Sequence, residues 1–234
     1  MRKLIMNKGK LYLVSTPIGN LADITYRAVE ILKSVDYVIC EDTRVTKKLL
    51  NHYNISKPCI SFHSKSSPSV AKKLISLLGN GKSLALVSDS GTPLISDPGC
   101  ILTREAVKEG IEIYPIPGPS AVHSALVASG FCISSYSFYG FISPKSSRRK
   151  IKLQKLKREN SIIVFYESPH RILKFLKDLH EIFGNINVSV SKEMTKVHER
   201  TYRGNLEDVI NQIISDGVKG EYTIVVNNRQ VNFR

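Results

Sequence analysis

The sequence has few features that would cross-link a chain or anchor it to a membrane. Its cysteines are Cys40, Cys59, Cys100 and Cys132. They lie far apart and form none of the Cys-x-x-Cys pairs that zinc and redox sites use. The apolar run Leu4-Ile5-Met6 is too short for a signal sequence or a membrane span. We therefore expect reduced thiols, a cytoplasmic location, no membrane contact and no metal.

Acidic residues are also scarce. Lys and Arg number 34 against 20 Asp and Glu, which gives a formal net charge of +14, and such an excess favours a phosphate-rich partner. Residues 145–158 read KSSRRKIKLQKLKR and contain no acid. A solvated helix face is one interpretation of this segment; phosphate contact is favoured because the whole chain is basic. Its candidate RNA-binding residues are Lys145, Arg148, Arg149 and Lys150.

Apolar runs alternate with helical patterns over most of the 234 residues, and 42% hydrophobic content is enough for a core. The alternation predicts an α/β fold with two α/β domains, residues 1–118 and 119–234. Strands are expected at 11–15, 36–40, 59–62, 83–88, 111–115, 138–141, 161–166, 187–191 and 222–226. Helices are expected at 25–34, 43–53, 69–78, 98–109, 145–158, 168–183 and 206–214.

Turns rich in glycine or proline follow four of these strands, at residues 15–20, 88–99, 115–120 and 167–171. Open α/β sheets bind ligands at the carboxyl ends of their strands, and we expect all four turns at such an edge. Glycine lets a ligand approach the backbone, while proline fixes the loop. None of the turns fits Gly-x-Gly-x-x-Gly or the Gly-x-x-x-x-Gly-Lys-Ser/Thr phosphate loop. A classical dinucleotide or ATP site is therefore not expected.

Five motifs in order resemble the tetrapyrrole methylase superfamily, the class III methyltransferases that use S-adenosylmethionine (SAM). They are LYLVSTPIGNLADI at 11–24, EDTR at 41–44, SDSGTPLISDPG at 88–99, IPGPSA at 116–121 and YESPHR at 166–171. Within the superfamily they look like the branch that methylates cytidine 2′-hydroxyls in 16S ribosomal RNA of the small subunit. Ser90 departs from this branch, which usually has Ala there. The resemblance implies a SAM cleft between two α/β domains and a homodimer.

The resemblance also implies which residues line the cofactor site. They are Pro17, Gly19, Asp89, Ser90, Gly91, Thr92, Ser120, Ala121, Tyr166, Tyr222 and Thr223. Asp89 and Asp97 can offer negative charge to a cationic sulfonium. For Asp97 the alternative is the N-cap of a helix that begins at Pro98.

The implied reaction is attack of a ribose 2′-hydroxyl on the sulfonium methyl group, which requires alignment and removal of the hydroxyl proton. Candidate catalytic residues are Glu41, Asp42, Arg44, Lys192 and Glu193. Further candidates to accept the proton or orient the groups are His63, Glu167 and His170. Asp42 or Thr43 could instead cap a helix. Arg44, His170 and Arg171 could instead hold RNA phosphates.

Two other functions remain open at this point. One is methylation of a tetrapyrrole-like small molecule, against which the excess of positive charge counts, because a small carboxylate needs only a local cationic patch. The other is a non-catalytic factor that binds ribosomal RNA during assembly. The intact glycine and proline turns count against it, because a protein that only binds RNA has little use for them.

Overall fold

The computed structural model describes residues 8–63, 68–97 and 99–229. The chain divides into two compact units, Met1–Ser120 and Ala121–Arg234. No helix in the described residues is long and apolar enough to cross a membrane.

The first unit is built on a parallel sheet whose strands follow the order β3-β2-β4-β1-β5. The strands are β1 (Leu11–Val14), β2 (Tyr37–Cys40), β3 (Cys59–Ser61), β4 (Leu84–Val87) and β5 (Ile113–Ile116). The helices are α1 (Tyr26–Ser34), α2 (Thr43–His52), α3 (Pro68–Gly79) and α4 (Cys100–Lys108). The prediction of a parallel α/β sheet is confirmed, and the observed bounds mostly differ from the expected ones by one or two residues.

Both faces of this sheet are covered, which explains why its central strands are apolar at every position. Val38 of β2 packs with Ala28 and Leu32 of α1 in one core cluster. Its neighbour Ile39 packs with Leu74 of α3 in another. Side chains alternate across a strand, so the strand supplies both layers. The carboxyl ends of β1, β2, β4 and β5 then meet at one edge.

The second unit contains a mixed sheet in the order β6-β7-β10-β8-β9. Its strands are β6 (Tyr136–Phe138), β7 (Ile162–Glu167), β8 (Asn187–Lys192), β9 (Arg200–Asn205) and β10 (Tyr222–Asn227). β6 and β7 are parallel, while β7, β10, β8 and β9 pair antiparallel. The helices are α5 (Ala121–Ala128), α6 (Ser146–Leu156), α7 (Ile172–Phe183) and α8 (Leu206–Asp216).

Some elements differ from the sequence prediction. β9 and α5 were not predicted; β9 has the sequence RTYRGN, in which only Tyr202 is a buried apolar residue. α4 begins at Cys100, and its N-cap is Gly99 at φ 130°. Asp97 therefore does not cap this helix, and Pro98, the expected first residue, lies outside the described residues. The strand expected at 138–141 ends at Phe138, shortly before Gly140 at φ 55°.

Candidate active site

Hydrogen bonds join three loops at the carboxyl edge of the first sheet. Thr16, after β1, exchanges backbone hydrogen bonds with Gly91, after β4, at N···O distances of 2.9 and 3.1 Å. Ser15 Oγ donates to Thr92 Oγ1 at 3.1 Å, and Thr92 Oγ1 donates to the Pro119 carbonyl at 3.2 Å. The loops after β1, β4 and β5 are therefore held in one arrangement before any ligand binds.

Buried hydroxyls complete this arrangement. Ser15, Thr16 and Ser88 are each less than 5% exposed. Thr16 Oγ1 donates to the Ser88 carbonyl at 3.1 Å, and Ser88 Oγ donates to the Gly91 carbonyl at 2.8 Å. These three residues were not predicted individually from the sequence. A hydroxyl directly after a buried apolar strand was the signal that could have found them.

Two glycines in these loops cannot be replaced without displacing a neighbour. Gly91 has φ +85°, and a Cβ there would lie 3.3 Å from Cγ2 of Ile18. A Cβ on Gly118 would lie 2.9 Å from Cβ of Ser15. The close approach of the loops therefore depends on glycine at both positions.

Carboxylates cluster at the same edge. The Asp42 amide donates to Asp89 Oδ1 at 3.2 Å, which links the loops after β2 and β4. Burial raises the pKa of Asp97 to about 6, and the negative charges of Glu41 and Asp89 contribute, against a hydrogen bond with Ser88. Accumulated negative charge that penalises ionisation is suited to a cationic ligand. Within the described residues, no group of three or more His, Cys, Asp or Glu is arranged to hold a metal.

Asp42 and Arg44 are occupied with each other. Asp42 is the N-cap of α2 and accepts from the Arg44 amide at 2.8 Å. This is the capping role that was the alternative to a catalytic role for Asp42. Its carboxylate also accepts from Arg44 Nε and Nη2, at 3.0 and 2.6 Å, and these bonds lower its pKa to about 2. Glu41 is exposed beside them, and its carbonyl accepts from Ser61 Oγ at 3.2 Å.

Lys192 and Glu193, in the second unit, make contacts that join the end of β8 to the segment between α8 and β10. Lys192 is 8% exposed, and its Nζ donates to the Gly217 carbonyl at 2.9 Å. Glu193 Oε1 accepts from the Glu221 amide and from Lys196 Nζ, both at 2.9 Å. Burial alone would raise the pKa of Glu193, but these donors outweigh it and lower the pKa. These contacts give both side chains a structural role.

The second-unit residues expected at the cofactor site divide between two sides of the sheet. Thr223 pairs with Tyr166 across β10 and β7, so these two lie side by side. Tyr222 is 2% exposed and belongs to the core cluster with Phe165 and Phe175. The Tyr166 ring is half-buried. Tyr166 and the buried Thr223 therefore lie on the face of the sheet opposite that of Tyr222.

The expected RNA-binding residues also divide into two groups. Lys145, the N-cap of α6, and Arg148 and His170 are exposed. Arg149 is 2% exposed, and its Nε donates to Asp178 Oδ2 at 2.7 Å. Lys150 Nζ is 2.5 Å from Glu181 Oε2, and Arg171 Nη2 donates to Glu167 Oε2 at 2.8 Å. The prediction that Arg149 contacts phosphate is therefore wrong, because Arg149 is buried. It is buried because it pairs with Asp178 on α7.

The remaining expected residues lie on the same loops. Pro17 is buried, whereas Gly19 and Ser90 are exposed. Ser120 ends the first unit and Ala121 begins the second, and both are half-buried.

Comparison with known proteins defines the class. The family model of the Tetrapyrrole (Corrin/Porphyrin) Methylases matches residues 10–210. The chain belongs to this family, as its motifs predicted. Two solved structures agree in fold: the methyltransferase CobJ, with TM-score 0.69 and 17% identity over 96% of this chain and 97% of that one, and uroporphyrin-III-C-methyltransferase from Thermus thermophilus, with TM-score 0.66 and 18% identity over 94% and 95%.

Similarity to individual curated proteins is much higher. The Thermotoga maritima protein named Ribosomal RNA small subunit methyltransferase I is 46% identical over 222 residues, which are 95% of this chain and 100% of the relative. Proteins of the same name from Mycoplasmopsis pulmonis and Halalkalibacterium halodurans are 47% and 45% identical. They are matched over 96% and 76% of their lengths, and over 92% and 94% of this chain.

Proposed function

We propose that this chain transfers a methyl group from SAM to the 2′-hydroxyl of a cytidine in 16S ribosomal RNA of the small subunit. The observation that carries the proposal is 46% identity along the whole length of a ribosomal RNA small subunit methyltransferase I. The net charge of +14 suits an RNA substrate better than a small carboxylate. A ribosomal substrate places the reaction in the cytoplasm, and the family resemblance favours a homodimer.

The residues at the carboxyl edge of the first sheet fit SAM chemically. SAM supplies an electrophilic methyl group on a cationic sulfur when it is bound. Asp89 and Asp97 offer the negative charge that suits such a cation. Burial is the main cause of the raised pKa of Asp97, and a bound cation would offset the added repulsion from Glu41 and Asp89. Gly91 allows the close approach of a ligand to the backbone. We assign Pro17, Gly19, Ser90, Thr92 and Ser120 to the same site, and the family resemblance assigns Ala121, Tyr166 and Thr223 to cofactor binding as well.

Methylation of a 2′-hydroxyl releases its proton, which a carboxylate of this edge can accept. Asp42 is held by Arg44, and Glu193 by Lys196 and Glu221. Asp97 is already assigned to the sulfonium cation, whereas Glu41 is exposed at this edge. We assign the proton acceptor to Glu41.

The decisive experiment is transfer of labelled methyl from SAM to purified small subunits that lack the modification, beside naked 16S ribosomal RNA. Nuclease digestion and mass spectrometry then identify the product. Labelled 2′-O-methylcytidine supports the proposal; label only in small-molecule acceptors, or SAM binding without transfer to either RNA, contradicts it. Asp89→Asn should abolish SAM binding, and Glu30→Gln, an exposed change on α1, is the matched control.

A further inference from the structure

Two arginines bind three consecutive backbone carbonyls in the loop that leads into α6. Arg171 Nη2 donates to the Ile142 carbonyl at 2.7 Å. Arg149 Nη1 donates to the carbonyls of Ser143 and Pro144, both at 3.2 Å. The arginines are themselves anchored, Arg171 by Glu167 and Arg149 by Asp178. Buried acids thus fix this loop through two cationic side chains, each with a rigid, forked set of donors.

The residue at the start of this fixed loop is an exposed aromatic. Phe141 is 58% exposed, whereas the following Ile142 is only 9% exposed and joins the core. The Phe141 ring lies against the ring of Tyr166, with centroids 5.6 Å apart, and Tyr166 meets Phe138 edge-on at 4.9 Å. The Phe141 ring therefore packs against Tyr166 on one side and is exposed to solvent on the other.

The exposed charged residues closest in sequence to Phe141 are those that attract a polyanion. Lys145 and Arg148 are exposed on the first turn of α6, and His170 is exposed after β7. Glu167, the carboxylate nearest in sequence to His170, is buried and paired with Arg171, and Glu159, the one nearest to Arg148, accepts a hydrogen bond from Tyr139. Carbonyl oxygens that would repel phosphate are covered by the two arginines. An apolar protein partner would have no use for Lys145 and Arg148.

We propose that Phe141 is a stacking platform for a single-stranded base of the RNA substrate, with Lys145 and Arg148 at the flanking phosphates. The inference rests on the proposed function and adds a residue that holds the RNA substrate. Exposed aromatics that alternate with cations are the usual means by which proteins hold unpaired nucleotides. The preformed loop removes the cost of ordering the platform at binding.

Phe141→Ala tests the proposal in the methyl-transfer assay. Loss of one stacked base should raise the KM for small subunits about 5- to 150-fold, while the affinity for SAM measured by calorimetry stays unchanged. Phe141→Trp should have the KM of the wild type, because it keeps an aromatic ring for stacking. A purely structural role of Phe141 would not require this result. An unchanged KM in Phe141→Ala overturns the proposal, and so does an equal loss of SAM affinity, which would assign the ring to the cofactor.

Phe141→Trp also gives a direct signal, because the chain contains no tryptophan. Its emission should be quenched by a short single-stranded oligoribonucleotide and not by inorganic polyphosphate, which has the charge without the bases. Val107→Trp is the matched control, since Val107 is 66% exposed near the end of α4, at the sheet edge opposite the glycine-rich loops. The proposal is overturned if polyphosphate quenches the emission as the oligoribonucleotide does. It is also overturned if the quenching depends only on protein concentration, which would indicate self-association.

The two proposals fail in different ways. If wild-type protein transfers no methyl to RNA but the oligoribonucleotide quenches Phe141→Trp, the proposed function fails and the stacking platform stands. If wild-type protein methylates the subunit and Phe141→Ala is equally efficient, the function stands and the platform fails.

Discussion

Arg149 and Asp178 form a buried ion pair between α6 and α7, with Arg149 Nε donating to Asp178 Oδ2 at 2.7 Å. Arg149 is 2% exposed and Asp178 8%, and Ser146 Oγ donates to the same carboxylate at 2.9 and 3.0 Å. The most basic helix of the chain is thus attached to its unit by one of its own cations. The neighbouring Arg148 remains exposed.

Arg149→Ala should lower the free energy of unfolding by about 3–5 kcal/mol, because it leaves the Asp178 carboxylate buried without its partner. Urea titration followed by circular dichroism measures this change. The double variant Arg149→Met, Asp178→Leu should recover most of the stability, because no unpaired charge remains. Equal destabilisation of the single and double variants would show that packing, and not the ion pair, is responsible.

The double variant Lys145→Ala, Arg148→Ala should weaken RNA binding and leave stability unchanged, in contrast to Arg149→Ala. Both side chains are exposed, so the stability should change by less than about 0.5 kcal/mol. RNA affinity should fall, and the slope of log K against log salt should decrease by about 1 to 2, as expected for two lost contacts to single-stranded phosphates. Filter binding at several salt concentrations measures the slope, and a slope equal to that of the wild type would remove this turn from the RNA surface.

The sequence predicted the first unit better than the second. β1 and β4 are central in a parallel sheet, buried on both sides, and such strands are recognisable as continuous apolar runs. β9 lies at an edge and pairs with β8 alone. Its stability comes from that pairing and from Tyr202, neither of which produces an apolar run. A polar edge strand such as β9 therefore cannot be recognised from local composition, whereas the more apolar edge strands β3 and β5 can.

The candidate site was predictable to the level of loops. Turn composition marked the segments after β1, β4 and β5, and hydrogen bonds join these segments in the structure. It did not separate Arg148 from Arg149, because two adjacent cations look equivalent until the position of Asp178 is known. Burial of one and exposure of the other depend on how α6 packs against α7. The two helices are close in sequence, but the sequence does not specify which side of α6 faces α7.

Asp97→Asn should stabilise the protein in a pH-dependent manner. The pKa of Asp97 is about 6 in the folded chain against an ordinary 3.8, so the folded state binds the proton more tightly. The contribution to folding is complete below pH 3.8 and is lost as the pH rises through 6. At pH 8 the Asn variant, which has no carboxylate to ionise, should be more stable by about 1–3 kcal/mol. Thermal unfolding should give a Tm difference that disappears near pH 4; the same difference at both pH values would contradict the shift.

Gly91→Ala should weaken SAM binding and destabilise the first unit. At φ +85° an L-residue is strained, and the new methyl group would lie 3.3 Å from Cγ2 of Ile18; together these effects cost about 1–3 kcal/mol. Gly79→Ala is the matched control, because a Cβ at the end of α3 meets nothing within 4 Å and alanine is the better helix former. Calorimetric SAM affinity and urea unfolding separate the two variants. The expected result is loss of both quantities in Gly91→Ala and of neither in Gly79→Ala, since only Gly91 joins the loops after β1 and β4 through its backbone. Wild-type SAM affinity in Gly91→Ala would mean that these loops do not hold the cofactor.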